Sequence, residues 1–444
     1  MKRSLIALLI SVLSLSLYAQ DSLRARQYIR DLTSPAMHGR GYAYNGDSIA
    51  AEYLREQFKL IGAEPFADDF FHHYDFDVYA MEGPVRATLD GRELKAWDEF
   101  SIAPMSHSAH ETFTVLSVPV STLLNREALH KFCEKKSKII GHSLLYVDLA
   151  NCDKKEDVQK VQGILMRFAV NNGHLPFKGI VAGVENIPVW SFNFAHEPCD
   201  YVVAYVKTGL MTKKKAELSL SYTNEIKKHK TQNVCAMLRG VGAPDSLVIV
   251  GGHYDHLGQM GDAVMFPGAH DNASGTATVL DLAHYFKNHP PYYTMLFTLF
   301  SGEEAGLLGS LAFVKDSLFD FSKVKMMLNI DLMGGGDDGF TVVNSDADNT
   351  KDFFQSMVAM NEREHLVKEV KPRKNANISD HAPFILKGMP AVFVYTMGGK
   401  TGGYHQPDDT NENCSLSAYE NIVSLFIRAI EQMGGSEKEL RVKN

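Results

Sequence analysis

Five short apolar segments after residue 230 constrain the fold of this 444-residue chain more than any other feature of its sequence. Each segment has the length of one buried β-strand, and segments with helical periodicity separate them. Strands that alternate with helices predict an α/β fold, with a mixed, mainly parallel central sheet covered by helices on both faces. The predicted strands occupy residues 233–238, 247–251, 294–300, 326–330 and 391–395.

One helix of this fold is predicted upstream, within residues 24–65. Apolar residues recur there at helical spacing, and Gly62 follows at the point where a helix would stop. The predicted apolar face consists of Ile49, Ala50, Tyr53, Leu54, Phe58 and Ile61.

Between these two regions the sequence changes character. From about residue 78 to residue 222 it contains short strand candidates, such as SLLYVDL and IPVWSF, and few long helical periods. This pattern predicts a smaller β-rich domain inserted into the main domain. We therefore divide the chain into a signal peptide (1–20), the N-terminal part of the main domain (21–77), the β-rich insertion (78–222) and the remainder of the main domain (223–444).

The N-terminus is typical of a secretory signal peptide. Lys2 and Arg3 precede the apolar run LIALLISVLSLSL, and cleavage is predicted after Ala19 or Gln20. The run is too short for a comfortable membrane span. We therefore expect an exported protein, periplasmic or extracellular, with no stable membrane span after cleavage.

Charge and cysteine content argue against several other classes of protein. The formal net charge of -8, without a basic stripe, argues against a nucleic-acid partner. The five cysteines form no CxxC pair, which argues against a zinc ribbon or a thiol redox motif. An exported protein could still contain one or two disulfides, and Cys133, Cys152 and Cys199 lie in the same middle region.

Histidines and carboxylates follow the predicted strands of the main domain. In open α/β sheets, ligands bind beyond the carboxyl ends of the strands. Two histidines with several carboxylates and no cysteine suit zinc, or manganese or cobalt, held by nitrogen and oxygen. Taken singly, each has an ordinary explanation, such as an acidic residue at a helix start. The residues concerned are His253, Asp255, Asp271, Glu303, Glu304, Asp331 and His405.

Six ordered motifs that contain these residues resemble the M28 family of two-zinc exopeptidases, of the aminopeptidase Y type. The resemblance covers about residues 24–65 and 230–435. It is carried by GGHYDHLG, GAHDNASGT, FSGEEAGLLGS, NIDLMG, SDHAPF with KGMPAVF, and YHQPDDT. The β-rich insertion is similar to a degenerate protease-associated domain, chiefly through KGIVAGVENIPVWSF.

The resemblance implies a pair of zinc ions, for which cobalt or manganese could substitute. His253 and Asp331 would bind one ion. Glu304 and His405 would bind the other, and Asp271 would bridge the two. A cis peptide bond after Asp271 is also implied.

The resemblance gives the adjacent glutamates different roles, with Glu303 as the general base. Neighbouring side chains that leave a strand point in different directions, so Glu303 and Glu304 would not bind one metal symmetrically. One would be a ligand, while the other would face the reacting water. Asp255 is implied as the residue that orients His253 through its other ring nitrogen.

Three further histidines lie within the motifs. His270 stands directly before the bridging aspartate, where family members commonly carry Asp or Asn. It could add a ligand or lie outside the ligand set. His256 and His381 could also approach a metal, but they exceed the five expected ligands.

The predicted function is a secreted two-zinc metallo-aminopeptidase that releases N-terminal residues from peptide substrates. The alternatives are a glutaminyl-peptide cyclotransferase, a carboxypeptidase on the same scaffold and a non-catalytic binding ectodomain. Retention of all five ligands and of SGEEAGLLGS favours hydrolysis. The insertion is predicted to supply no metal ligand and to shape access to the site or contact longer substrates. The oligomeric state stays open.

Overall fold

A computed structural model describes residues 22–152, 154–169, 176–191, 199–213 and 215–442 of the chain. The predicted signal peptide, residues 1–20, lies outside the described residues. Within them, no helix has both the length and the apolar character needed to cross a membrane.

Helices and strands alternate through the main part of the chain. Among the described residues the helices are α1 (Ser22–Leu32), α2 (Gly46–Ile61), α3 (Val120–Leu123), α4 (Arg126–Lys135), α5 (Lys155–Ala169), α6 (Ser274–Asn288), α7 (Leu308–Lys315), α8 (Lys351–Glu364), α9 (Ala382–Leu386) and α10 (Tyr419–Val442). The strands are β1 (Glu64–Pro65), β2 (Phe71–Leu89), β3 (Arg92–Glu93), β4 (Phe100–Ile102), β5 (Ala109–Ser117), β6 (Ser143–Asp148), β7 (Gly179–Val184), β8 (Val202–Lys207), β9 (Lys215–Leu238), β10 (Ala243–His253), β11 (Gln259–Met260), β12 (Val264–Met265), β13 (Tyr293–Phe300), β14 (Val324–Ile330), β15 (Gly339–Val343), β16 (Val370–Arg373) and β17 (Ala391–Met397).

The helix predicted within residues 24–65 is confirmed as α2. Its buried face includes Ala50, Leu54, Phe58 and Ile61, as the helical spacing predicts. The prediction is wrong for Ile49, which is exposed. Gly62 ends the helix in the left-handed conformation, with φ of 80°, where a residue without Cβ is favoured. Its backbone N–H bonds to the carbonyls of the last helical turn.

The centre of the main sheet is parallel. β13, β10, β14 and β17 lie side by side in this order and run in the same direction. β9 adds to β13 and β15 adds to β17, both antiparallel. All five strands predicted from apolar segments are confirmed, within β9, β10, β13, β14 and β17.

Side chains alternate between the two faces of this sheet, since successive strand residues point to opposite sides. Val250 of β10 belongs to a core that includes residues of α1, α2, α6 and α10. Its neighbour Ile249 belongs to a second core with α7 and α9. Helices thus cover both faces, which confirms the mixed α/β fold predicted from the sequence.

The β-rich middle region continues the same sheet, which has 15 strands among the described residues. β5 pairs with β9, and the order then runs β6, β7, β8 and β4. SLLYVDL is confirmed as β6. The region also contains α3, α4 and α5, which pack against β6 and β7 and which the sequence did not identify.

The strand predicted at IPVWSF is wrong for its described part, residues 187–191, which are irregular. Pro188 offers no backbone N–H to a neighbouring strand. Two residues later, the indole N–H of Trp190 donates a hydrogen bond to the carbonyl of Ile102 at 2.8 Å. Contacts across the molecule therefore decide the course of this segment.

A two-stranded antiparallel ribbon joins the middle region to the main sheet. β9 has 24 residues and β2 has 19, and they pair along most of their length. The end of β9 pairs with β13, whereas its start pairs with β5. The predicted boundaries at 77/78 and 222/223 both fall inside these strands, and the division into domains stays a prediction.

None of the five cysteines forms a disulfide in the structure. Cys199, Cys235 and Cys414 are buried, whereas Cys133 and Cys152 are partly exposed. The disulfides that the sequence left open are therefore not formed here.

Candidate metal centre

Three predicted site segments meet at one edge of the main sheet. β14, β10 and β13 are parallel neighbours, so their carboxyl ends lie together. His253 is the last residue of β10, and Asp331 directly follows β14. Glu303 and Glu304 come shortly after β13. The sheet thus explains why these side chains are close in space.

Asp271 lies between the two predicted histidine ligands and presents one carboxylate oxygen to each. Its Oδ1 lies 3.3 Å from His253 Nε2, and its Oδ2 lies 3.2 Å from His405 Nε2. On one side, Asp331 Oδ1 lies 3.3 Å from His253 Nε2. On the other, Glu304 Oε2 lies 3.2 Å from His405 Nε2. The structure therefore brings together all five residues predicted as ligands, and the peptide bond after Asp271 is cis.

This arrangement fits a pair of cations. None of the five side chains is more than 8% exposed, so three carboxylates share a nearly dry space that favours a compensating positive charge. Among the described residues, the buried His405 Nε2 has no hydrogen-bond partner, although it faces two carboxylates. Nitrogen and oxygen donors without a thiolate suit zinc. Among the described residues, two sets of side chains could each hold a metal ion, and they share Asp271. The first set is His253, Asp271 and Asp331, and the second is His256, Asp271 and Glu304.

A third histidine, His256, approaches the centre although the sequence placed it outside the ligand set. Its Nδ1 lies 2.9 Å from Glu304 Oε1. The other carboxylate oxygen, Oε2, faces His405. The His256 ring is fully buried, and a Cβ at Gly268 would come within 2.4 Å of it. His256 thus occupies one oxygen of Glu304 and leaves Oε2 facing the centre.

The other two additional histidines lie in different surroundings. His270 Nδ1 accepts a hydrogen bond from the backbone N–H of Gly334 at 3.0 Å, so this nitrogen is engaged with the loop after β14. His381 is fully buried, and its ring lies 5.4 Å from that of Phe393. Neither belongs to the groups of donor atoms found among the described residues.

Asp255 fixes the loop that carries the two glutamates. Its carboxylate accepts hydrogen bonds from the backbone N–H groups of Glu303 and Glu304, each at 3.3 Å. The hydroxyl of Tyr42 donates to the same carboxylate at 2.6 Å. His253 Nδ1 lies 3.2 Å from the backbone carbonyl of Asp255 and 3.7 Å from its Oδ1. The orienting role of Asp255 toward His253 stays a prediction, and its contacts with the glutamate loop were not foreseen.

Burial and neighbouring charges shift the pKa values of the two adjacent glutamates in opposite directions. Burial raises the pKa of Glu303 well above its usual value; Glu304 raises it further, although His253 opposes this. Burial also acts to raise the pKa of Glu304, but His405 and hydrogen bonds from His256 and His405 lower it to about 2. Neighbouring carboxyls whose pKa values are pushed apart are typical of a proton carrier beside a fixed anion.

Asp409 is a site residue whose role the sequence missed. Its two carboxylate oxygens accept hydrogen bonds from the backbone N–H groups of His270 and Asp271, at 2.8 and 3.0 Å. It lies four residues after His405 in the motif YHQPDDT, which was the available signal. Asp409 thus ties the segment of the bridging aspartate to the segment of His405.

Arg40 is a second residue that the sequence missed. It is fully buried and donates to the carbonyls of Tyr254, Leu32, Pro267 and Gly268 at 2.6 to 2.9 Å. Burial lowers its pKa to about 10, so the guanidinium is charged at neutral pH. Arg40 therefore joins the end of β10 to the segment that precedes Asp271.

Residues 233–430 match Peptidase family M28. A probable zinc metalloprotease of Pyrenophora teres f. teres (strain 0-1) is 39% identical over 115 residues, which are 24% of this chain and 24% of that protein. An aminopeptidase of Pseudomonas aeruginosa (strain UCBPP-PA14) is 24% identical over 340 residues, 74% of this chain and 60% of that protein. The chain thus spans less than two thirds of the length of either curated relative.

The fold also resembles a solved structure. A zinc aminopeptidase from Bacillus subtilis superimposes with a TM-score of 0.66 at 17% identity, over 94% of this chain and 95% of that one. The likeness concerns the fold, and at this coverage it includes the middle region as well as the main sheet.

Proposed function

Because residues 233–430 match Peptidase family M28, we propose that the chain is an exported two-zinc aminopeptidase that hydrolyses N-terminal residues from peptides. The observation that carries the proposal is the position of Asp271, with one carboxylate oxygen toward each of two buried histidines. His253 and Asp331 would hold one zinc ion. Glu304 and His405 would hold the other, with Asp271 bridging.

When bound, two zinc ions supply Lewis-acid polarisation of the scissile carbonyl and a lowered pKa for water. Glu303 takes a proton from the attacking water and returns it to the leaving amine. A general base must hold that proton between the two steps, and burial raises the pKa of Glu303 in the direction that favours this. Asp255 keeps Glu303 in place through the backbone N–H.

Comparisons with known proteins support peptide hydrolysis over the alternatives. The relative in Pseudomonas aeruginosa is named an aminopeptidase, and it aligns with 74% of this chain. Cyclisation uses the substrate's own amine as nucleophile, so it needs no water activated beside Glu303. The complete set of five ligands suits activation of water. Export is proposed from the signal-like residues 1–20.

The test uses the purified protein and short peptides with free or acetylated N-termini. Free amino acids are expected from the unblocked peptides, and acetylation is expected to stop their release because the substrate amine is then blocked. A chelator is expected to abolish activity, and added zinc is expected to restore it. The readout is amino-acid release followed by chromatography.

Other products would identify the alternatives. Ammonia release from N-terminal glutamine, without free amino acids, would indicate a cyclotransferase. Release from the opposite end, insensitive to acetylation, would indicate a carboxypeptidase. Zinc binding without turnover of any peptide would favour a binding ectodomain.

A further inference from the structure

The middle region contacts the metal centre through the segment that follows β7. Ser191 Oγ lies 3.1 Å from His405 Nδ1. The other nitrogen of this ring, Nε2, faces Asp271 and Glu304. A histidine that presents a lone pair on Nε2 carries its proton on Nδ1, so Nδ1 donates to the serine hydroxyl.

An aromatic cluster sets the position of this segment. The ring of Trp190 stacks on Phe266 with centroids 5.0 Å apart and an angle of 6° between the rings. Trp97, also from the middle region, meets Phe266 edge-on at 4.9 Å. Phe266 is fully buried and lies five residues before Asp271. Both tryptophans of the chain therefore anchor the middle region beside the bridging aspartate.

A second contact reaches the segment of His405. The indole N–H of Trp97 donates to Gln406 Oε1 at 3.1 Å, directly after the histidine. Tyr404, directly before it, stacks on the His405 ring with centroids 3.8 Å apart. Trp97 thus holds the side chain of the residue after His405, Tyr404 stacks on the ring of His405, and Ser191 contacts Nδ1 of that ring.

We propose that the middle region is a positioning element of the metal centre, and that the Ser191 hydroxyl orients His405 for zinc. Ser191 supplies no ligand and acts through the histidine. The inference rests on the proposed function in that it takes His405 as a zinc ligand. It goes further by making one half of the centre depend on a region without any catalytic motif.

Zinc titration of the metal-free protein tests this proposal without measuring catalysis. Partners that hold a ligating histidine through its second nitrogen are worth roughly 10- to 100-fold in metal affinity. Ser191→Ala is therefore expected to weaken one of two zinc equivalents by about 10- to 100-fold and to leave the other unchanged. Competition with a chromophoric chelator measures both affinities.

Two further variants separate the hydroxyl from general effects. Ser191→Thr keeps a hydroxyl and is expected to retain most of the affinity. Ser219→Ala is the matched control, because Ser219 pairs with the Thr112 hydroxyl at 2.7 Å, in a bond with no contact to the centre. Ser191 is exposed, so its truncation leaves no buried cavity, and unfolding of the metal-free variants is expected to match the wild type.

Equal zinc affinities in Ser191→Ala and Ser219→Ala would overturn the proposal. An equal loss in Ser191→Thr and Ser191→Ala would also overturn it, since the hydroxyl would not be the cause. A selective loss in Ser191→Ala alone supports it, even if no peptide is hydrolysed. If zinc affinity falls selectively in Ser191→Ala and no peptide is hydrolysed, the proposed peptidase activity is wrong but the positioning role of Ser191 is supported.

Discussion

Replacing Glu303 by Gln is expected to lower peptide turnover by about 10²- to 10⁴-fold, the usual contribution of a general base. The amide has nearly the same shape as the carboxylate but cannot accept and return the proton. Zinc content is expected to stay unchanged, because Glu303 is assigned no ligand role. Steady-state rates and metal analysis of the same preparation measure both effects.

Glu304→Gln is the matched control for this variant. It changes the adjacent residue in the same way, but here one side-chain oxygen faces His405 and the other contacts His256. Loss of zinc is expected from this change. If Glu303→Gln loses zinc and Glu304→Gln keeps it, the two glutamates have the opposite roles.

Replacing Arg40 by Met is expected to destabilise the fold by about 4 kcal/mol, counting roughly 1 kcal/mol for each of four buried hydrogen bonds. Methionine fills part of the space but donates no hydrogen bond, so four carbonyls lose the bond from Arg40, although the Gly268 carbonyl keeps the bond from the Ala273 N–H. Denaturant unfolding of the metal-free protein measures the change in the free energy of unfolding.

Arg30→Met provides the comparison, since Arg30 is exposed and its guanidinium bonds Gln27 at 3.4 Å. Its effect is expected to stay within about 0.5 kcal/mol. An equally small effect for Arg40→Met would mean that water or a backbone shift satisfies the carbonyls. Arg40 would then not be needed to join the segments around the metal centre.

The positions of His253 and Asp331 were predictable because they follow from the topology of a parallel sheet. A buried apolar run marks each strand, and neighbouring parallel strands must end at the same edge. The same reasoning reaches His405 only through a glycine-rich loop after its strand, and Asp271 lies on a connecting segment. Their assignment as the bridging ligand and as a ligand of the second ion came only from the motifs that resemble a known family.

The supporting contacts could not be predicted, since they join distant parts of the chain. Tyr42 reaches Asp255 across 213 positions, and Arg40 reaches Tyr254 across 214. Neither periodicity nor local turn preference carries information about such pairs. Ser191 shows the same limit, because its segment has the composition of a strand and its contacts with the main domain decide otherwise.

The ribbon of β2 and β9 determines how the protein can be dissected into fragments. A deletion of residues 78–222 would cut both strands in mid-course and leave unpaired N–H and C=O groups along a sheet edge. Such an edge can recruit the same edge of another copy, so that fragment is expected to aggregate during expression. A deletion that starts after Leu89 and ends before Lys215 keeps both strands whole, but it removes β5 and so unpairs the start of β9 along its other edge. Both deletions are therefore expected to promote aggregation, and the intact chain is the better form to express.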